Sequence, residues 1–349
     1  MKKIYFSLIV LISSAFFPIQ QSNACTRVVY KGPDNTVITA RSMDWKTEID
    51  PNLWLFPRGM QRSGNVGKNS IQWKSKYGSI TTSAWDLATT DGMNEKGLVA
   101  NVLWLVESQY PKFNPNGSKK GLTIAAWAQY VLDNHATVQE AVNELKKEDF
   151  TIVSDFIPGT QKFTTLHLSI SDATGDNAIF EYINGKLIIH HNSSYTVMTN
   201  SPTFDEQLAI SKYWAGIPGT IMLPGTNRAA DRFTRASYYI GVIPQTSDVR
   251  QSVASVFSVI RNCSVPLGIS SESEPNISST RWRTVSDQKN LVYYYESTET
   301  PNTFWVDLKK VDFSNKTQTK MLSVSKKETY AGETSKLFVN SKPFVFLGI

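Results

Sequence analysis

Apolar and polar residues alternate most cleanly between Leu166 and His191. Leu166, Leu168 and Ile170 alternate with His167, Ser169 and Ser171, the period-two pattern of a strand. The turn residues Asp172 to Asp176 then lead into a second strand, Asn177 to Ile183. Asn184-Gly185 is a strong hairpin signal and predicts a third strand over Lys186 to His191. Tyr195 to Met198 reads as a further short strand.

Strand signals also flank this meander. Thr26 to Tyr30 and Thr36 to Ala40 read as strands joined by the turn Gly32-Pro33-Asp34-Asn35. Leu291 to Tyr295 and Thr303 to Leu308 read as late strands. Helical spacing appears in Ile124, Trp127, Ala128, Val131 and Leu132, which predicts a helix over Gly121 to Leu132. A second helix is expected from Thr137, with Val138, Val142 and Leu145 on one face and Lys146 and Lys147 near its end. Arg235 to Ile240 and Val249 to Ile260 are also expected to be helical. With no internal repeat and no linker composition, the pattern predicts one α+β domain.

The first residues break this pattern. Lys2 and Lys3 precede an apolar run from Ile4 to Phe17, and Ser22 and Ala24 place small residues at −3 and −1 before Cys25. That order predicts a signal peptide over residues 1–24, removed to leave residues 25–349 as the mature domain in the periplasm or outside the cell. The run falls short of the roughly 20 residues of a membrane span, so no stable membrane insertion is expected. A chain of 349 residues with 41% hydrophobic and 19% charged residues buries an ordinary core. The formal charge of +6 includes Lys2 and Lys3, and the remaining basic residues form no cluster interleaved with aromatics. Nucleic-acid binding is therefore not expected.

Candidate chemistry concentrates at Cys25. Cleavage after Ala24 gives this residue a free α-amine, whose ordinary pKa of about 7.7–8.0 suits a general base near neutral pH. Nucleophile and base then sit on one residue and need no histidine. The four histidines, His135, His167, His190 and His191, lack metal-ligand spacing, and His190 and His191 point to opposite faces of one strand. Two rivals remain: a disulfide between Cys25 and Cys263, the two cysteines of the chain, and a lipid on Cys25, making a non-catalytic anchored binding protein. Ser22 stands where lipidation favours an aliphatic residue.

Beyond Cys25 the motifs form a series. Cys25-Thr26-Arg27, Thr39-Ala40-Arg41-Ser42-Met43-Asp44-Trp45, Asp91-Gly92-Met93-Asn94-Glu95-Lys96-Gly97-Leu98, Met198-Thr199-Asn200-Ser201-Pro202, Leu223 to Asn227 through Asp231-Arg232-Phe233, and Ser278 to Arg283 resemble the choloylglycine hydrolase family in the same order. That family contains conjugated bile salt hydrolases and penicillin V acylases and belongs to the N-terminal nucleophile hydrolases. The resemblance implies a four-layer αββα sandwich and hydrolysis of a linear amide without metal or cofactor. The implied substrates are small acyl amides: conjugated bile salts, penicillin V or, alternatively, acyl-homoserine lactones.

The same resemblance implies the site. Cys25 matches the nucleophile and Arg41 the arginine beside the thiol. Asp44 matches the aspartate that accepts from the α-amine. Asn200 matches a side-chain oxyanion donor, and Arg232 a second active-site arginine. Trp104 falls at a variable pocket position whose N–H is the second oxyanion donor, and Trp45 is expected to face the same pocket. Pocket shape is expected from the segments near Trp45, Pro57 to Gly64 and Trp104. The resemblance implies a homo-oligomer, a tetramer being one form. The short run from Asn200 to Arg232 resembles the exported Gram-negative branch, without the extra segment that helps tetramers assemble.

Overall fold

The computed structural model describes residues 25–157, 159–269, 278–326 and 328–349, so the expected signal peptide lies outside the described residues. Two large sheets face each other. The first has seven strands in the order Val197–Met198, Cys25–Lys31, Val37–Trp45, Ser279–Asp287, Val292–Ser297, Thr303–Asp307 and Gly332–Glu333. The second has nine, in the order Lys186–His191, Asn177–Ile183, Leu166–Ser171, Val99–Trp104, Ala88–Asn94, Ser79–Ala84, Asn52–Phe56, Lys320–Ser323 and Val339–Asn340. Helices cover both outer faces. Trp127–Asn134 and Val138–Leu145 pack on the nine-stranded sheet, and Ala229–Val242 and Val249–Asn262 on the seven-stranded one. The result is the four-layer αββα sandwich.

The meander forms where the alternation predicts it. Asn184 and Gly185 both adopt positive φ (52° and 75°), as a tight hairpin turn requires. Thr137 caps the helix Val138–Leu145 by accepting from the Glu140 N–H at 3.2 Å.

The helix expected from Gly121 begins later. Lys120–Thr123 is a strand paired in parallel with Phe150–Val153, a single 3-10 turn follows over Ile124–Ala126, and α-helix runs only over Trp127–Asn134. Strand pairing decides Gly121, where an added Cβ would lie 2.5 Å from Val66 and 2.7 Å from Phe113. The spacing from Ile124 onward marks the buried side of the turn and helix together.

Several strands lack any period-two signal. Asn52–Phe56, Ser79–Ala84 and Val99–Trp104 are buried at every position, because a sheet between two layers hides both faces and erases alternation. The helix Phe204–Ala215 does carry a local signal, T-x-x-E. Glu206 accepts from Thr203 N at 3.1 Å and from its Oγ1 at 2.7 Å.

Candidate active site

Cys25 opens the strand Cys25–Lys31, and antiparallel pairing sets it opposite Met43 on Val37–Trp45. Side chains alternate along a strand, and directly paired residues share a face. Cys25, Arg41, Met43 and Trp45 therefore point into the space between the sheets. Ser42 and Asp44 point outward to the helical layer, where Thr26 and Thr280 are their cross-strand partners. A bulge at Arg281 allows that second register: Thr280 pairs with Asp44 and Trp282 with Met43, leaving Arg281 between them. Arg41 and Asp44 are thus not an ion pair, although three positions separate them.

On the inter-sheet side the thiol lies 3.6 Å from Arg41 Nη2 and 3.9 Å from Met43 Sδ. Arg41 Nη2 also lies 2.9 Å from Met43 Sδ. Its other terminal nitrogen pairs with Asp91 Oδ2 at 2.9 Å, and both side chains are essentially inaccessible (0% and 1%). Asp91 accepts further bonds from Tyr293 Oη and, at 3.3 Å, from Thr284 Oγ1. Burial pushes the Cys25 thiol above its ordinary pKa; Arg41, the Asp44 N–H and Arg232 pull it down, while the Asp44 carboxylate adds to the rise. The arginine acts in the expected direction, and burial outweighs it.

On the helical side Asp44 accepts from Thr280 Oγ1 at 2.5 Å and from Ser42 Oγ at 3.5 Å. Arg232 reaches down from Ala229–Val242 and donates through Nη1 to Cys25 O and Thr26 Oγ1, both at 2.6 Å. Its Nη2 donates to Asn200 Oδ1 at 3.0 Å. Cys25 N also donates to Asn200 Oδ1, at 2.5 Å. Two donors converging on one atom assign that atom as oxygen, so the Asn200 amide nitrogen faces the other way. It donates to Trp104 O at 2.8 Å.

The expected bond from Cys25 N to Asp44 is thus made to Asn200 instead. In the 349-residue chain this nitrogen is a peptide N–H after Ala24, with one hydrogen to give. A free α-amine carries more hydrogens and can serve more than one acceptor.

Asp44 carries a pH signature. Burial raises its carboxyl to about 6, against the pull of Arg232, Thr280 and Arg41. The folded value lies above the unfolded one of 3.8, so the fold favours the protonated form. That stabilisation is complete below about pH 4 and is lost as pH rises through 6. Asp44→Asn removes the ionisation. It is expected to match wild type in melting temperature at pH 4 and to exceed it at pH 7.5 by the equivalent of about 1–3 kcal/mol. Thermal melts at both pH values check this, and equal shifts at both would overturn it.

The pocket opens on the thiol. Cys25, Met43, Trp45, Trp85, Trp104 and Ile157 are among the residues around an apolar cavity of about 100 Å³. Trp45 is central to its aromatic wall, with ring centroids 5.7 Å from Trp104 and 6.3 Å from Trp85. Trp45 and Trp104 sit on strands, and Pro57 to Gly64 is not part of the wall: Pro57, Arg58, Gly59 and Met60 line a separate surface groove with Asn315 and Thr317. The side chains that hold the site, Asp91 and Thr280, and the pocket residues Trp85 and Ile157 were not expected individually. Asp91 and Thr280 do fall within the motifs that carry the resemblance; Trp85 and Ile157 carry no sequence signal.

Cys263 is a free, fully buried thiol under Arg232, and Cys25 is likewise free. Each histidine is paired elsewhere with a carboxylate: His135 with Glu144, His167 and His190 with Glu181, His191 with Asp176.

A family model described as linear amide C–N hydrolases, choloylglycine hydrolase family, matches residues 25–322. A penicillin V acylase of Pectobacterium atrosepticum is 52% identical over 350 residues, covering 94% of this chain and 93% of that protein. A bile salt hydrolase/transferase of Clostridium perfringens is 25% identical over 311 residues, covering 82% and 93%. Among solved structures, penicillin V acylase from Agrobacterium tumefaciens superposes with a TM-score of 0.87 at 58% identity, covering 93% of this chain and all (100%) of that one. A conjugated bile acid hydrolase from Clostridium perfringens shares the fold at a TM-score of 0.72 and 23% identity, covering 88% and 98%.

Proposed function

This chain belongs to the choloylglycine hydrolase family of linear-amide C–N hydrolases, and from that premise we propose that it is an exported acylase acting through a free N-terminal Cys25 on amides with a flat aromatic acyl group, penicillin V foremost. Removal of residues 1–24 frees the α-amine. The amine takes the thiol proton, and the thiolate attacks the amide carbonyl. The oxyanion is held by Asn200 Nδ2 and the Trp104 N–H. Preorganised donors of this kind are typically worth about 10²–10³ in rate. The carbon–nitrogen bond breaks as the α-ammonium returns its proton to the leaving amine. Water then attacks the thioester, the amine accepts its proton, and the acid leaves with the thiol restored.

The observation that carries this reading is the junction of thiol and pocket. Cys25 stands between the polar set Arg41, Asp44, Asn200 and Arg232 and an apolar cavity walled by Trp45, Trp85 and Trp104. Indole walls favour a planar phenoxyacetyl group by stacking. The wall continues over Ile124, Ala125 and Leu347, which favours an alkyl chain as the second reading, an acyl-homoserine lactone.

The test is amine release by the exported protein from penicillin V, glycocholate, taurocholate and a long-chain acyl-homoserine lactone, with intact mass and thiol titration on the same sample. The expected result is a mass matching residues 25–349 without lipid, two titratable thiols, and fastest turnover of penicillin V. A lipidated mass, or no turnover from an unmodified Cys25, would overturn it.

A further inference from the structure

The apolar cavity runs from one layer of the molecule into another. Cys25, Met43 and Trp45 open it between the two sheets, in the core that the sheets share. It then passes one end of the nine-stranded sheet, where Ala84 pairs with Ala88 across a turn and Trp104 pairs with Leu166. Beyond these strand ends the wall is Leu87, Ile124, Ala125 and Leu347. Ile124 and Ala125 belong to the core on the outer, helix-covered face of that sheet, and Leu347 packs against the same core. The cavity thus has the thiol at its inter-sheet end and Leu347 at its outer end.

Leu347 is fixed there by its backbone. Its N–H donates to Leu87 O at 2.8 Å, and its carbonyl accepts from Thr123 Oγ1 at 2.5 Å. Leu87 closes the turn that carries Trp85 by donating to Ala84 O at 2.9 Å. Thr123 caps the 3-10 turn Ile124–Ala126 by accepting from Ala125 N at 3.3 Å. One residue therefore joins two segments of the wall. Just before it, Phe346 is buried under Arg62, whose guanidinium lies 5.5 Å from the ring centroid, and Asn65 Nδ2 donates to Phe346 O. Just after it, Gly348 passes so close to Asn65 that an added Cβ would lie 1.8 Å from Asn65 O. These main-chain anchors do not depend on which side chain position 347 carries. The match to the family model ends at residue 322, so this part of the wall is supplied from outside the matched residues.

An acyl group carried on the Cys25 sulfur lays its tail along the apolar wall. A tail that outruns the cavity meets a branched side chain held on anchored backbone. Resting on the acylase reading above, we infer that Leu347 is the stop of the acyl pocket: it sets how far an acyl group can extend from Cys25 and selects short-armed aryl acyl groups over long-armed ones. One methylene more or less in an apolar pocket is worth about 10–200-fold in discrimination. Shortening Leu347 lengthens the cavity, and enlarging it shortens the cavity.

The test uses the mature enzyme and three amides of the amine that penicillin V releases, carrying phenoxyacetyl, phenoxybutyryl and phenoxyhexanoyl groups. The readout is the ratio of kcat/KM for the phenoxyhexanoyl amide to that for the phenoxyacetyl amide, in which any loss of folded enzyme cancels. Leu347→Ala is expected to raise this ratio about tenfold and Leu347→Trp to lower it about tenfold, with the phenoxybutyryl amide between. Val345→Ala, at an exposed position of the same segment, is expected to leave the ratio at the wild-type value. A ratio unmoved in both Leu347 variants, or moved in the same direction by both, overturns the stop and leaves the acylase reading intact. An equal shift in Val345→Ala does the same. No turnover of any of the three amides by wild type overturns that reading and the stop with it.

Discussion

Cys25→Ala is expected to abolish amide turnover, with kcat falling by about 10⁴-fold or more, while the fold survives. Loss of a catalytic nucleophile costs up to about 10⁶ in a comparable triad enzyme. Among the described residues the thiol's bonding neighbours are Met43, the Arg41 guanidinium and the backbone of Asp44, none of which can replace it as a nucleophile. A methyl group in its place can neither attack a carbonyl nor hold a thioester. The structural consequence is small, because the sulfur makes only long contacts of 3.5–3.9 Å and Ala keeps the strand pairing with Met43. Steady-state amine release measures the first part and thermal melting the second. Intact mass after a substrate pulse adds a third readout, an acyl adduct on wild type that Cys25→Ala lacks. Residual turnover above about 1% of wild type would show that another group attacks the amide.

Asp91→Ala is expected to be the most destabilising substitution around the site, by about 3–5 kcal/mol, with a parallel loss of activity. It removes one partner of a fully buried pair and leaves the Arg41 guanidinium uncompensated between the sheets. Tyr293 Oη and Thr284 Oγ1 lose their shared acceptor at the same time. Arg41 is placed near the thiol by this anchor, so the thiol should titrate differently once the anchor is gone. Chemical denaturation gives the stability change, and the pH dependence of alkylation at Cys25 gives the thiol's. Asp91→Asn separates the roles, since it keeps the acceptor for Tyr293 and loses the charge. A variant within 1 kcal/mol of wild type with an unchanged alkylation profile would mean that Arg41 is held by its sulfur and backbone contacts alone.

Much of the fold is legible where apolar and polar positions alternate or a turn leaves a local mark. Leu166–Ser171 alternates in sequence although both its faces are buried, because its polar side, His167 paired with Glu181 for one, is satisfied inside the protein, and the hairpin turn at Asn184 and Gly185 needs positive φ. Val249–Asn262 is marked in the same way, with Val253, Val256, Phe257 and Ile260 on its buried face. Asn52–Phe56, Ser79–Ala84 and Val99–Trp104 leave no such mark, because their residues on the two buried faces of the sheet do not divide into an apolar and a polar set. Gly121 to Ala126 shows the converse. Its helical spacing is real, yet pairing with Phe150–Val153 claims the first half as a strand.

The site divides along the same line. The sequence by itself determined which residues are expected to do chemistry: Cys25 behind an expected signal peptide, Arg41 and Asp44 three apart, Asn200 before a turn, and Arg232. It also places these residues in the ordered motifs of one hydrolase family. Only the tertiary structure decided what each of them touches. Strand alternation splits Arg41 and Asp44 between two layers, so one meets Asp91 and the other Thr280. Helix packing brings Arg232 onto Asn200 and thereby orients the amide toward the pocket. The hairpin ahead of Leu166 lays Lys162 on Trp104, nearly sixty positions away in the chain. Local sequence sets periodicity and reactivity because both act within a few residues. Partner, burial and pKa come from contacts between distant segments, and those exist only once the sheets have stacked.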